Sequence, residues 1–136
     1  FRPNAKERKA IERRAMALAT KHFTELGARV TDVSARKPYD LEVELDGAIL
    51  SVEVIGTCGD GDEVLLTRGE VDHHRKAHPS NALVVVSGIH LEGPPGARAA
   101  TGGRLHVIRP WRVSEQDLSP MAYRYAVPTD RPASGP

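Results

Sequence analysis

Apolar residues recur at three- and four-residue steps through the first part of the chain, then at two-residue steps. Ile11, Ala15, Leu18, His22 and Leu26 form one stripe of a helix predicted over residues 3–26, with charges on its other faces. Pro3 stands where a first helical turn tolerates a missing N–H, and Gly27 is placed to end the helix in a left-handed cap. Residues 28–33, around Val30 and Val33, read as a weak strand. Residues 39–45 alternate: Tyr39, Leu41, Val43 and Leu45 point one way, and Asp40, Glu42 and Glu44 the other. Asp46-Gly47 signals a two-residue hairpin turn, because both residues tolerate positive φ. The strand predicted over residues 49–55 returns with Leu50, Val52 and Val54 on one face and Ser51, Glu53 and Ile55 on the other.

A Gly/Asp-rich loop over residues 56–62 separates this hairpin from a second helix, predicted over residues 68–77. Thr67 followed three residues later by Glu70 is a capping-box pattern. Within residues 82–91, Leu83-Val84-Val85-Val86 lacks alternation, which suits a strand buried on both faces. A loop over residues 93–103, a strand over 105–108, a helical turn over 114–118 and an edge strand over 123–127 complete the reading. Residues 129–136 are rich in Pro, Ser and Gly and read as a disordered tail. The expectation is one α/β domain over residues 1–128, a mixed sheet flanked by helices.

Composition narrows the function classes. Aromatic residues make up only 4% of the chain, so Val, Leu, Ile and Ala must fill the core. A formal net charge of +1 gives no global nucleic-acid footprint. Arg2, Lys6, Arg8, Lys9, Arg13 and Arg14 nevertheless gather early, as a solvated helix face or as a phosphate-contacting one. Cys58 is the sole cysteine, which excludes an intrachain disulfide and favours a reducing, cytoplasmic setting. No apolar run approaches the roughly 20 residues of a membrane span. The chain begins at Phe1 rather than Met, as a fragment of a larger protein would.

Carboxylates gather on the hairpin. Asp40 and Glu53 lie about equally far from the Asp46-Gly47 turn, so they are expected opposite one another and on the same face. Facing like charges are unfavourable unless neutralised, and a divalent cation with hard oxygen ligands does so. The other reading is a solvated face of ordinary surface charges. His74 and His78, four apart, could share a helix face, but no zincin-type carboxylate accompanies them. Trp111 suits core packing better than stacking on a base.

Tyr39-Asp40-Leu41 followed by Ser51-Val52-Glu53-Val54-Ile55-Gly56-Thr57 resembles the PD-(D/E)XK nuclease motif. Glu12-Arg13-Arg14-Ala15, Val52-Glu53-Val54 leading into Gly56-Thr57, Leu66-Thr67-Arg68-Gly69-Glu70-Val71 and the strand from Leu83 to Val86 resemble one branch of it more closely. That branch is the C-terminal domain family of the plant protein NO VEIN and its bacterial relatives. The resemblance implies a restriction-endonuclease-like core and metal-dependent hydrolysis of DNA, in a larger bacterial DNA-acting or defence protein. It places Mg²⁺ or Mn²⁺ on Asp40, Glu53 and the Val54 carbonyl, with Glu12 and Glu70 behind them. Lys9, Arg13, Lys37 and Arg68 are the implied nucleic-acid contacts. The family's catalytic lysine falls at Ile55, which has neither charge nor donor. Losing such a group commonly lowers rate about 10²–10³-fold. Three readings stay open: a domain that binds without cutting, a substitute cation from Lys37, Arg68, Arg75 or Lys76, or a change introduced to trap substrate. The alternative function is a non-catalytic module that binds nucleic acid or protein through the same groove.

Overall fold

A computed structural model describes residues 2–129. The element order is α1 (Ala5–Glu25), β1 (Arg29–Asp32), β2 (Leu41–Leu45), β3 (Ala48–Gly56), α2 (Arg68–Ala77), β4 (Asn81–Glu92) and β5 (Ala99–Ile108), then a 3₁₀ turn at Glu115–Asp117. The strands form one sheet in the order β1-β2-β3-β4-β5. All neighbours are antiparallel except β3 and β4, which α2 links as a parallel pair.

Local signals start these elements. Asn4 caps α1, accepting from the Glu7 N–H at 2.8 Å, while the Glu7 carboxylate accepts from the Asn4 N–H at 2.9 Å. Helix α1 thus begins at Ala5 rather than Pro3. At the hairpin tip Asp46 and Gly47 take φ of +52° and +80°, and Leu45 pairs with Ala48, as the turn chemistry requires.

The sheet carries a core on each face. Ile11, Ala15, Ala19 and Phe23 of α1 pack on Leu41, Val43, Leu50, Val52, Val84 and Val86. On the opposite face Leu83, Val85 and Trp111 form a smaller cluster joined by Ile55, Val64, Leu66 and Val113. This explains the unbroken apolar run of β4, which is buried from both sides.

Three expectations are corrected. The strand expected over residues 105–108 begins six residues earlier, at Ala99, within the presumed loop. Its ladder with β4 holds one register from Leu83↔Ile108 to Glu92↔Ala99 but omits Gly88 and Gly103, both at positive φ, so the glycines interrupt pairing without ending it. Residues 123–127 form no strand, and Tyr123, Tyr125 and Val127 are exposed. Tyr39 leaves the Leu41 set: it precedes β2, its ring stacks on His73 at 4.6 Å, and its hydroxyl meets Glu42 at 3.2 Å. The tail expected over residues 129–136 lies, from Asp130 onward, outside the described residues.

Candidate functional site

The β2–β3 register pairs Leu41 with Val52, which sets Asp40 opposite Glu53 one step beyond the ladder. Asp40 continues the pairing by hand: its N–H donates to the Val52 carbonyl at 3.0 Å, and its Oδ2 accepts from the Val54 N–H at 2.8 Å. Glu53 is not on a solvated face. It is 2% exposed, beneath α2, and the Asp40 and Glu70 carboxyls lie against its own. Glu70 also closes the α2 capping box, with the Thr67 N–H donating to its Oε1 at 2.8 Å.

A hydrogen-bonded string backs this cluster. Glu53 Oε1 lies 3.0 Å from His74 Nε2, and both side chains are buried. Asn81, fully buried at the start of β4, has its amide orientation fixed by Trp111: the Trp111 N–H donates to Oδ1 at 3.1 Å, and Nδ2 donates to the Trp111 carbonyl at 2.9 Å. The second Nδ2 proton is left to His74, whose Nδ1 lies at 3.2 Å and whose carbonyl lies at 3.3 Å. An amide NH₂ facing Nδ1 favours that nitrogen as the acceptor and leaves Nε2 as the donor to Glu53.

The electrostatics agree with this assignment. Burial, then the Glu70 and Asp40 carboxyls beside it, push Glu53 up to about 10. Burial likewise raises Asp40, opposed by the Val54 N–H. Burial and the adjacent His73 bring His74 down to about 4. By distance Glu53 and His74 qualify as an ion pair. With one acid holding its proton and Asn81 occupying Nδ1, the contact is instead a hydrogen bond between neutral groups. The groups acting most strongly on Glu53 are other carboxyls, with no lysine or arginine among them.

Each carboxyl commits one oxygen to the scaffold: Asp40 to Val54, Glu53 to His74 and Glu70 to Thr67. Their second oxygens are hard donors, the kind that magnesium or manganese takes. Among the described residues no three His, Cys, Asp or Glu side chains already stand at metal-ligand spacing.

The remaining sequence-predicted residues fall elsewhere. Ile55 shares the Glu53 face, two residues on, and packs into the Leu83–Val85–Trp111 cluster. Glu12, Lys9 and Arg13 are exposed on α1, which covers the opposite face, and Glu12 lines a cleft with Arg8, Gly56 and Cys58. Lys37 is paired with Glu42 at 3.4 Å and Arg68 with Asp72 at 3.7 Å, while Arg75 bonds Glu115. Sequence reasoning missed His74 as a partner of Glu53 and missed Asn81 altogether. Val71 and His74 are three residues apart on one α2 stripe, which could have flagged a histidine turned inward.

No curated protein and no solved structure matches this chain. The family described as Protein NO VEIN, C-terminal, matches residues 11–96, from the first buried turn of α1 through all of β4. That span is most of the chain and contains Asp40, Glu53, Ile55, Glu70, His74 and Asn81. The chain belongs to the NO VEIN C-terminal domain family.

Proposed function

We propose that this domain is a nuclease-derived DNA-binding module that holds a divalent cation and does not cleave. The observation that carries the reading is the asymmetry around Glu53. Asp40 stands opposite Glu53 with Glu70 beside it, which supports reading these acids as the carboxylate half of a PD-(D/E)XK-like site. At the position the resemblance gives to a lysine stands Ile55, packed into an apolar cluster.

Asp40, Glu53 and the Val54 carbonyl are the groups that would hold Mg²⁺ or Mn²⁺. Such an ion, when bound, polarises a phosphate and acidifies a coordinated water. Clustered carboxyls without a cationic neighbour favour its uptake, because it relieves their repulsion. No donor at Ile55 can then orient a water or stabilise the charge that develops on phosphate. Of the four candidate substitutes, Lys37 pairs with Glu42, Arg68 with Asp72 and Arg75 with Glu115, while Lys76 is exposed on α2. Arg104 and His106 are exposed on the carboxyl-bearing face, aligned with Ser87 and Val85, and offer phosphate contacts there.

The test is cleavage of plasmid and single-stranded DNA with Mg²⁺ or Mn²⁺ by the chain, by Ile55→Lys, and by Ile55→Lys combined with Asp40→Ala. The expected result is cutting by Ile55→Lys alone. Cutting by the unaltered chain that disappears on Asp40→Ala would overturn the non-cleaving reading. Absence of DNA binding by the unaltered chain at low salt would overturn the DNA-binding reading.

A further inference from the structure

We propose that His74 is a positioning residue for the carboxyl cluster, held in one tautomer by Asn81. Three observations carry this, each geometric. His74 is 0% exposed and makes its one side-chain contact to the cluster through Nε2, at 3.0 Å from Glu53 Oε1. Asn81 can present only its amide NH₂ to Nδ1, because both ends of its side chain are registered by the Trp111 backbone. The rotamer of Glu53 is thereby fixed, with Oε1 turned to α2 and its second oxygen left to Asp40 and Glu70.

The string runs across four segments of the chain: β3 at Glu53, α2 at His74, β4 at Asn81 and the segment after β5 at Trp111. It does for a ligating carboxylate what outer hydrogen bonds do for ligands generally, which is to limit its orientations before the ion arrives. The Trp111 ring packs against the imidazole, with ring centres 4.7 Å apart, and His74 is fully buried. Asp40 and Glu70 need no such support, since each is already fixed to a backbone N–H.

The effect on cation binding rests on the reading proposed above; the tautomer does not. Long-range ¹H–¹⁵N spectra of the labelled chain at pH 7 are expected to show His74 neutral with the hydrogen on Nε2. A ring protonated on Nδ1, or on both nitrogens, overturns the assignment. Mn²⁺ affinity is then read by electron paramagnetic resonance for the unaltered chain, His74→Gln and His74→Leu, each checked for folding by circular dichroism. Glutamine retains an N–H for Glu53 and is expected to bind within about 3-fold of the unaltered chain, whereas leucine weakens binding about 10–100-fold. Equal affinities in all three, or equal losses in both folded variants, overturn the positioning role. Failure of all three to bind Mn²⁺ sinks the cation reading itself, and the tautomer then decides whether His74 holds Glu53.

Discussion

Glu53 is an acid surrounded by acids, and its neighbours determine how it responds to pH. A carboxyl raised on folding contributes stability that is complete below its unfolded value, 4.5, and is lost as pH climbs toward about 10. His74 has the opposite sign: its contribution is complete above 6.5 and is lost as pH falls toward about 4. Between 4.5 and 6.5 the two oppose each other. Above that window His74 no longer offsets the carboxyl, and the cation-free protein is expected to lose up to about 1 kcal/mol per pH unit between pH 7 and 9. Glu53→Gln mimics the protonated acid, so urea unfolding of that variant in EDTA should show a flatter alkaline limb. Unchanged pH dependence in the variant would mean that Glu53 is not the titrating group. At this scale Asp40 and Glu53 were legible because hairpin symmetry about Asp46-Gly47 fixes who faces whom. Asn81 was not, because a lone polar residue at the head of an apolar run has no periodicity to betray its partner.

At the scale of elements, caps and periodicity located α1, the β2–β3 hairpin and α2, whose signals are local: Asn4 was the one cap not anticipated. Strand β5 was half missed, because Gly102-Gly103 reads as loop while the ladder in fact continues to Ala99. At Gly103 the ladder is interrupted, but it does not end there. A Cβ at Gly103 would sit 2.7 Å from Val86 Cγ1, in a backbone at φ +103°. Gly103→Ala is therefore expected to lower stability by about 2–4 kcal/mol, measured by denaturant unfolding. A loss below about 0.5 kcal/mol would show that β5 can move away from α1 and β4 at little cost. The 123–127 segment alternates like a strand but finds no edge, and alternation alone could not supply a partner.

At the scale of the whole molecule, a two-faced sheet divides the work. The α1 face supplies the main core, and the other face combines a small apolar cluster with buried Glu53 and the half-buried Asp40 and Glu70. Pattern reading anticipated a mixed sheet flanked by helices, because the order of elements permits few other ways to cover it. It could not show that Ile55 belongs to a packed cluster with Trp111, since Leu83 and Val85 of β4 bring together residues of β3 and of the segment after β5 that are distant in sequence. The account as a whole depends on the second oxygens of Asp40 and Glu53 admitting one divalent ion between them. Crystals soaked in Mn²⁺ and measured at the manganese absorption edge test this directly. An anomalous peak within ligand distance of both carboxylates, with Glu53 still bonded to His74, is the expected result. Density without a peak there, or a peak bound only by other residues, would contradict it.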